Sequence, residues 1–165
     1  MFLFIIFSLI AHANSLVSLV KGVENNHKIH MSYQQKPFVC IPYGVETISQ
    51  LFLRVDVNSS CRASLSAYRK ANPKESFFAQ THLELGQQYS VEGVEGLCLL
   101  HLSSENSYSE ALLEDGYARI PLSMKYKDEV LDYRFKRARL RAKIKEAGMW
   151  SDAKVRNCFL IPAKE

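Results

Sequence analysis

Four cysteines, Cys40, Cys61, Cys98 and Cys158, and five histidines carry the side chains most able to do chemistry of their own. The cysteines are too scattered for the close C-x-x-C pairs of a zinc site, and their even number favours two disulfides in an oxidising compartment. Four cysteines can pair in three ways, and the sequence does not choose among them. His27 and His30 make an H-x-x-H, but on a strand that spacing sends the rings to opposite faces, so no shared metal is expected. A cysteine–histidine nucleophile needs a reduced thiol of low pKa, which an oxidising compartment disfavours. The chain holds no glycine-rich phosphate loop, no G-x-S-x-G and no H-E-x-x-H. No metal and no cofactor are expected on these grounds.

The net charge of +4 is unevenly spread. Between Lys125 and Lys145 nine Lys and Arg stand against three acids, and the rest of the chain is slightly acidic. Such a stripe suits a polyanion, either nucleic acid or anionic lipid. It also suits the solvated face of a helix.

Phe2 to Ile10 is apolar except for Ser8, and Ala11-His12-Ala13 is the A-x-A pattern that a signal peptidase cuts. The expected organisation is a signal peptide over residues 1–13 and one domain over residues 14–165, of which 151–165 form a C-terminal tail. No Lys or Arg precedes the apolar run, and counting Leu16 to Val20 with it gives the alternative of an uncleaved anchor. Nothing in the mature chain approaches the roughly 20 apolar residues of a membrane span. The expected location is the bacterial periplasm or the exterior.

From Leu16 to Val57 the pattern is strand-like, with runs at Lys28 to Tyr33, Phe38 to Ile41 and Ile48 to Val57 divided by turn-forming clusters. Asn72-Pro73-Lys74-Glu75 supplies a cap, a proline at the first helical position and an acid at the third, predicting a helix that ends at Gly86. Phe78, His82 and Leu85 share a face of it, which makes His82 a packing residue sooner than a ligand. Tyr89 to Val94 and Leu97 to Leu102 read as strands. Ser107-Tyr108-Ser109-Glu110 is a capping box that opens a short helix closed at Gly116. The last helix is expected from about Lys127 to Ala147. Leu131, Phe135, Ala138 and Ala142 form a stripe suited to packing on a sheet. Tyr133, Leu140, Ile144 and Ala147 form a second stripe, suggesting cover by the tail or by a partner.

This element order, with the string YSEALLEDGYARI running on to RARLRAKIKEAGMWSD, resembles the staphylococcal nuclease (thermonuclease) family. The likeness covers roughly residues 72–152, while the first half matches in strand order and length. The resemblance implies an α+β fold, a five-stranded OB-fold β-barrel with three α-helices. It also implies, for active members, calcium-dependent cleavage of DNA and RNA phosphodiesters. Such members place an acid in the turn between the first two strands, an Arg on the third strand, an Asp five residues later, a Glu just after it, and a second Arg in the turn before the fifth strand.

Val94-Glu95-Gly96 puts an acid where that last Arg would stand. If PFVCIPYGVET is the third strand and its turn, the Arg position falls on Val39 and the Asp position on Gly44, leaving Glu46 and Glu24. If TISQLFLRVDV is the third strand, the Asp position falls on Asp56, the Arg position on Leu51, the Glu position on Ser59 and the first acid near Pro37. Neither register assembles a site, and one carboxylate neither holds calcium nor activates water. The leading expectation is an exported, non-catalytic module. Its ligand would be nucleic acid, through Lys136, Arg137, Arg139, Arg141 and Lys143, or an envelope protein. The alternative is an active calcium-dependent nuclease using Asp56, Glu46, Glu24 or Glu95 with Arg54 or Arg62. A third reading is a structural envelope domain with no ligand.

Overall fold

The computed structural model describes residues 15–54 and 57–158. The expected signal at 1–13 and the candidate Asp56 lie outside the described residues. The first hairpin joins β1 (Leu16–Asn25) to β2 (Lys28–Tyr33), and β3 (Lys36–Cys40) follows antiparallel to β2. Alternation sets the faces: Ile29 and Met31 enter the core while His30 stays exposed. Register shifts between Val20 and Gly22 and between Val23 and Asn25 bend β1, as bulges do.

A two-residue strand, β4 (Glu46–Thr47), runs directly into α1 (Ile48–Leu53). The expected strand at Ile48 to Val57 is therefore corrected. Thr47 and Gln50 form a capping box in which the Thr47 N–H donates to Gln50 Oε1 at 2.8 Å, and Ile48 and Leu51, three apart, share the buried face of a helical turn. Next comes α2 (Ser59–Ala71), which the sequence reading missed. Asn58 Oδ1 caps it by accepting from the Cys61 N–H at 2.8 Å, and Cys61, Leu65 and Tyr68 form its buried stripe.

The helix expected from Asn72 to Gly86 is two short pieces, α3 (Pro73–Ser76) and α4 (Phe78–His82), broken at Phe77. Asn72 does not cap it; its Nδ2 donates back to the Tyr68 carbonyl at 2.9 Å. His82 packs as expected, stacked on Phe78 with ring centroids 3.9 Å apart, but Leu85 is exposed.

Strands β5 (Gln88–Val94) and β6 (Leu97–His101) form the second hairpin, and β1 pairs with β5. The result is a five-stranded antiparallel sheet in the order β3-β2-β1-β5-β6. Its edges meet at one corner. The Tyr43 N–H donates to the Cys98 carbonyl at 2.8 Å, the Cys98 N–H donates to the Ile41 carbonyl at 2.9 Å, and a disulfide joins Cys40 to Cys98. No ladder runs between β3 and β6, so the sheet is not closed into a barrel.

The predicted capping box opens α5 (Tyr108–Glu114), with the Ser107 N–H donating to Glu110 Oε2 at 2.9 Å. After β7 (Ala118–Arg119), which pairs with β4, comes the long helix α6 (Glu129–Ile144), capped by Asp128. Leu131, Phe135, Ala138 and Ala142 are its buried stripe, as expected. A 3-10 turn (Gly148–Ser151) leads to α7 (Ala153–Cys158), tied to α2 by the Cys61–Cys158 disulfide.

Two apolar clusters result. One lies between the sheet and α5/α6, around Ile29, Met31, Leu100, Leu112 and Phe135. The other gathers Ile48, Leu51, Leu65, Met149, Trp150 and Val155 around the second disulfide. Helix α6 enters both, through Phe135 and Ala142. The structure is mixed α+β, with more helical segments than the three expected. No helix among the described residues is long and apolar enough to cross a membrane.

Candidate functional site

Pairing of β4 with β7 sets Glu46 opposite Arg119. Arg119 Nε donates to Glu46 Oε2 at 2.7 Å and its Nη2 lies 2.6 Å from the same oxygen, with Arg119 almost wholly buried. Arg54 closes the other side, its Nη1 3.3 Å from both carboxylate oxygens. Two guanidiniums therefore occupy one carboxylate. Arg62, the other candidate cation, serves the backbone: Nη2 donates to the Arg54 carbonyl at 2.7 Å and Nε to the Val57 carbonyl at 3.1 Å.

Of the remaining candidate carboxylates, Glu24 and Glu95 lie apart from this cluster in their own pairings, and Asp56 is outside the described residues. Glu24 is exposed beside Lys28 and His30, 3.4 Å and 3.5 Å away. Glu95 sits in the β5–β6 turn with positive φ and pairs with Lys127 at 2.9 Å. Leu51, the Arg position of the second register, is buried in α1, which removes that register as a strand. In the first register Val39 is exposed on β3, and Gly44 is buried beneath two rings. Tyr126 donates its hydroxyl to the Gly44 carbonyl at 2.6 Å, and a Cβ at Gly44 would lie 2.6 Å from both Phe135 Cε2 and Tyr126 Cε1. No side chain fits at that point. Among the described residues no group of three or more His, Cys, Asp or Glu is placed to hold a metal ion.

His27 lies in the β1–β2 turn, buried, with Nδ1 unbonded; burial pushes its pKa down. Beside it Asn26 donates to the Glu75 carbonyl at 2.6 Å and to Glu75 Oε1 at 3.3 Å, and accepts from the Ala79 N–H at 3.0 Å. Glu75 is fully buried; burial raises its pKa, partly offset by Arg69, whose Nε lies 3.4 Å from Oε2. This polar knot ties the first hairpin to α3 and α4.

The basic residues of α6 divide into paired and unpaired. Arg134 makes a two-pronged contact with Glu110 at 2.8 and 2.6 Å, Lys136 pairs with Asp132 at 2.6 Å, and Arg141 and Lys145 approach Glu114 at 3.4 and 3.5 Å. Lys143 lies over the Trp150 ring, 4.8 Å from its centroid. Arg137 and Arg139 have no carboxylate partner among the described residues. Of the second stripe, Tyr133, Leu140 and Ile144 stand out in solvent.

A separate groove of about 390 Å³ opens between β3 and β6, lined by Tyr33, Lys36, Phe38, Val39 and Leu97 among others. Its walls are chiefly apolar and carry a single cation, a poor match to a phosphate backbone.

The sequence reading named Glu46 and Arg54 but missed Arg119, 73 residues from Glu46. No local signal could join them, because the pairing exists only once β4 meets β7. In comparisons with known proteins, no family model matches the chain and no curated protein matches it.

Proposed function

We propose that this chain is an exported, non-catalytic binding module with a nuclease-like OB fold, whose working face is α6 and whose ligand is an acidic macromolecule. The observation that carries the reading is the neutralised cluster: the Glu46 carboxylate is already occupied by Arg119 and Arg54. A carboxylate so engaged has little capacity left for a hard cation, which needs several oxygens, or for activating water. The roofing of Gly44 by Tyr126 and Phe135 supports the same conclusion. The strand order and the single-corner meeting of β3 with β6 support a barrel-like OB arrangement. The two disulfides support export, since such bonds persist in oxidising compartments.

The acidic ligand is supported by Arg137 and Arg139, which lie on α6 without internal carboxylates. Titration of the purified domain with an anionic probe such as single-stranded oligonucleotide or polyglutamate, across a salt series, tests the working face. Binding that weakens with salt and disappears in an Arg137→Glu/Arg139→Glu variant supports it; binding to neither probe at low salt contradicts it. The rival reading, a rearranged nuclease, draws on the same two guanidiniums beside Glu46 as phosphate-neutralising groups. Metal-dependent hydrolysis by the wild-type chain would favour that reading.

A further inference from the structure

Along α6 the residues Val130, Tyr133, Arg137, Leu140 and Ile144 recur at alternating spacings of three and four. They lie opposite the core stripe, and the four apolar ones are 56% to 75% exposed. We infer that this face receives an amphipathic helix of a second protein, with aliphatic side chains at the matching seam positions and a carboxylate opposite Arg137. The inference rests on the reading of α6 as the working face and specifies its partner.

A narrow seam of this spacing is the geometry of helix-on-helix packing, whereas a helix lying in a membrane surface presents a broader apolar face. Aliphatic side chains such as Leu140 and Ile144 bury little against a phosphate backbone, so the seam favours protein over nucleic acid. Charge then selects the kind of protein. Arg134, Lys136 and Arg141 each have an internal carboxylate, but Arg137, in the middle of the seam, has none among the described residues. A covering helix must supply that acid or bury a guanidinium alone. A second copy of this chain cannot supply it at the seam. The seam of this chain holds Val130, Tyr133, Arg137, Leu140 and Ile144 and no acid, so self-pairing would set Arg137 against an apolar side chain or a second guanidinium. The partner is therefore aliphatic along the seam and acidic at one central seam position.

The test uses the full mature chain and a synthetic helical peptide of about three heptads. The peptide has Leu at its seam positions, Glu at its flanks and one Glu at the central seam position. Binding is followed by fluorescence anisotropy and by chemical-shift changes. The acidic peptide should bind, with shifts confined to the outer face of α6. Arg137→Glu should weaken binding by about tenfold or more, and a peptide with Lys in place of the central Glu should recover it. Leu140→Asp should abolish binding with the circular dichroism unchanged, since the residue faces solvent. The inference is overturned by no peptide binding, by binding indifferent to Arg137→Glu, or by stronger binding to single-stranded oligonucleotide or to phosphatidylglycerol vesicles. Self-association through this face in sedimentation, or peptide binding that requires removal of residues 159–165, also overturns it, by assigning the seam to a second copy or to the chain's own tail. Failure here with hydrolysis still absent removes the partner class and leaves the non-catalytic reading standing.

Discussion

Arg119 and Glu46 face each other across the β4–β7 pair, a guanidinium and a carboxylate 2.6 Å apart and 73 residues apart in the chain. The contact couples the end of the first sheet segment to the strand between α5 and α6. Because Arg54 shares the carboxylate, Glu46→Gln takes the charge out of two arginine contacts at once in a mostly buried site. Breaking a buried pair from one side costs about 3–5 kcal/mol. Urea denaturation of Glu46→Gln should show a loss of that order. A loss below about 1 kcal/mol would mean the pair behaves as an exposed one.

Gly44→Asp puts an acid at the position where the nuclease resemblance expects one, in the register the structure leaves open. The backbone there has φ +75° and the added Cβ meets Phe135 and Tyr126. The variant should lose roughly 2–4 kcal/mol from left-handed strain and overpacking and gain no hydrolysis. Thermal denaturation together with a nuclease assay checks both halves.

The Cys61–Cys158 disulfide closes a separation of 97 residues and fastens α7 to α2. In the chain-entropy account a loop of that size contributes about 4–5 kcal/mol. Cys61→Ala/Cys158→Ala should fall in stability by about that much, and hydrogen exchange should quicken first in α2, α7 and the Trp150 turn, ahead of the sheet.

Two buried groups should give pH slopes of opposite sign. Glu75 has its pKa raised by burial, so above its ordinary 4.5 the folded chain holds a proton that the unfolded chain releases. Stability from this group is therefore lost as pH climbs from about 4.5. His27 has its pKa lowered by burial, so below its ordinary 6.5 the unfolded chain takes up a proton that the folded chain refuses. Its contribution is lost as pH falls below that value. Melting temperatures from pH 4 to 8 should show Glu75→Gln removing a downward slope and His27→Gln removing an upward one. Unchanged slopes in both variants would contradict the burial argument.

Legibility in the sequence followed the range of the forces involved. The α6 core stripe and the α5 capping box were readable because each repeats or closes within a few residues, and both appear where expected. The β5–β6 hairpin was readable for the same reason. Helix α1 was misread because the β-rich run after Thr47 hid a Thr-x-x-Gln capping box that was present in the sequence. Helix α2 was missed because it buries only Cys61, Leu65 and Tyr68, in a segment whose other residues are alanine or polar. The helix expected from Asn72 does start at Pro73, but it breaks at Phe77, and the burial of Glu75 against Asn26, 49 residues away, had no local signal. Long-range partners such as Arg119 for Glu46, and the two disulfide pairings, have no local signature. The α6 outer stripe lay in between: its spacing was visible, but whether the fold covers it was decided only by tertiary structure, which leaves it in solvent.

With the Glu46 carboxylate held by Arg119 and Arg54, the proposed non-catalytic role requires that the chain hydrolyse no phosphodiester. The most direct measurement is the release of acid-soluble nucleotide from single-stranded DNA and RNA by the purified wild-type chain with calcium, magnesium or manganese. No release above the metal-only background is expected with any of the three. Metal-dependent release that disappears in Glu46→Gln or Asp56→Ala would contradict the non-catalytic role.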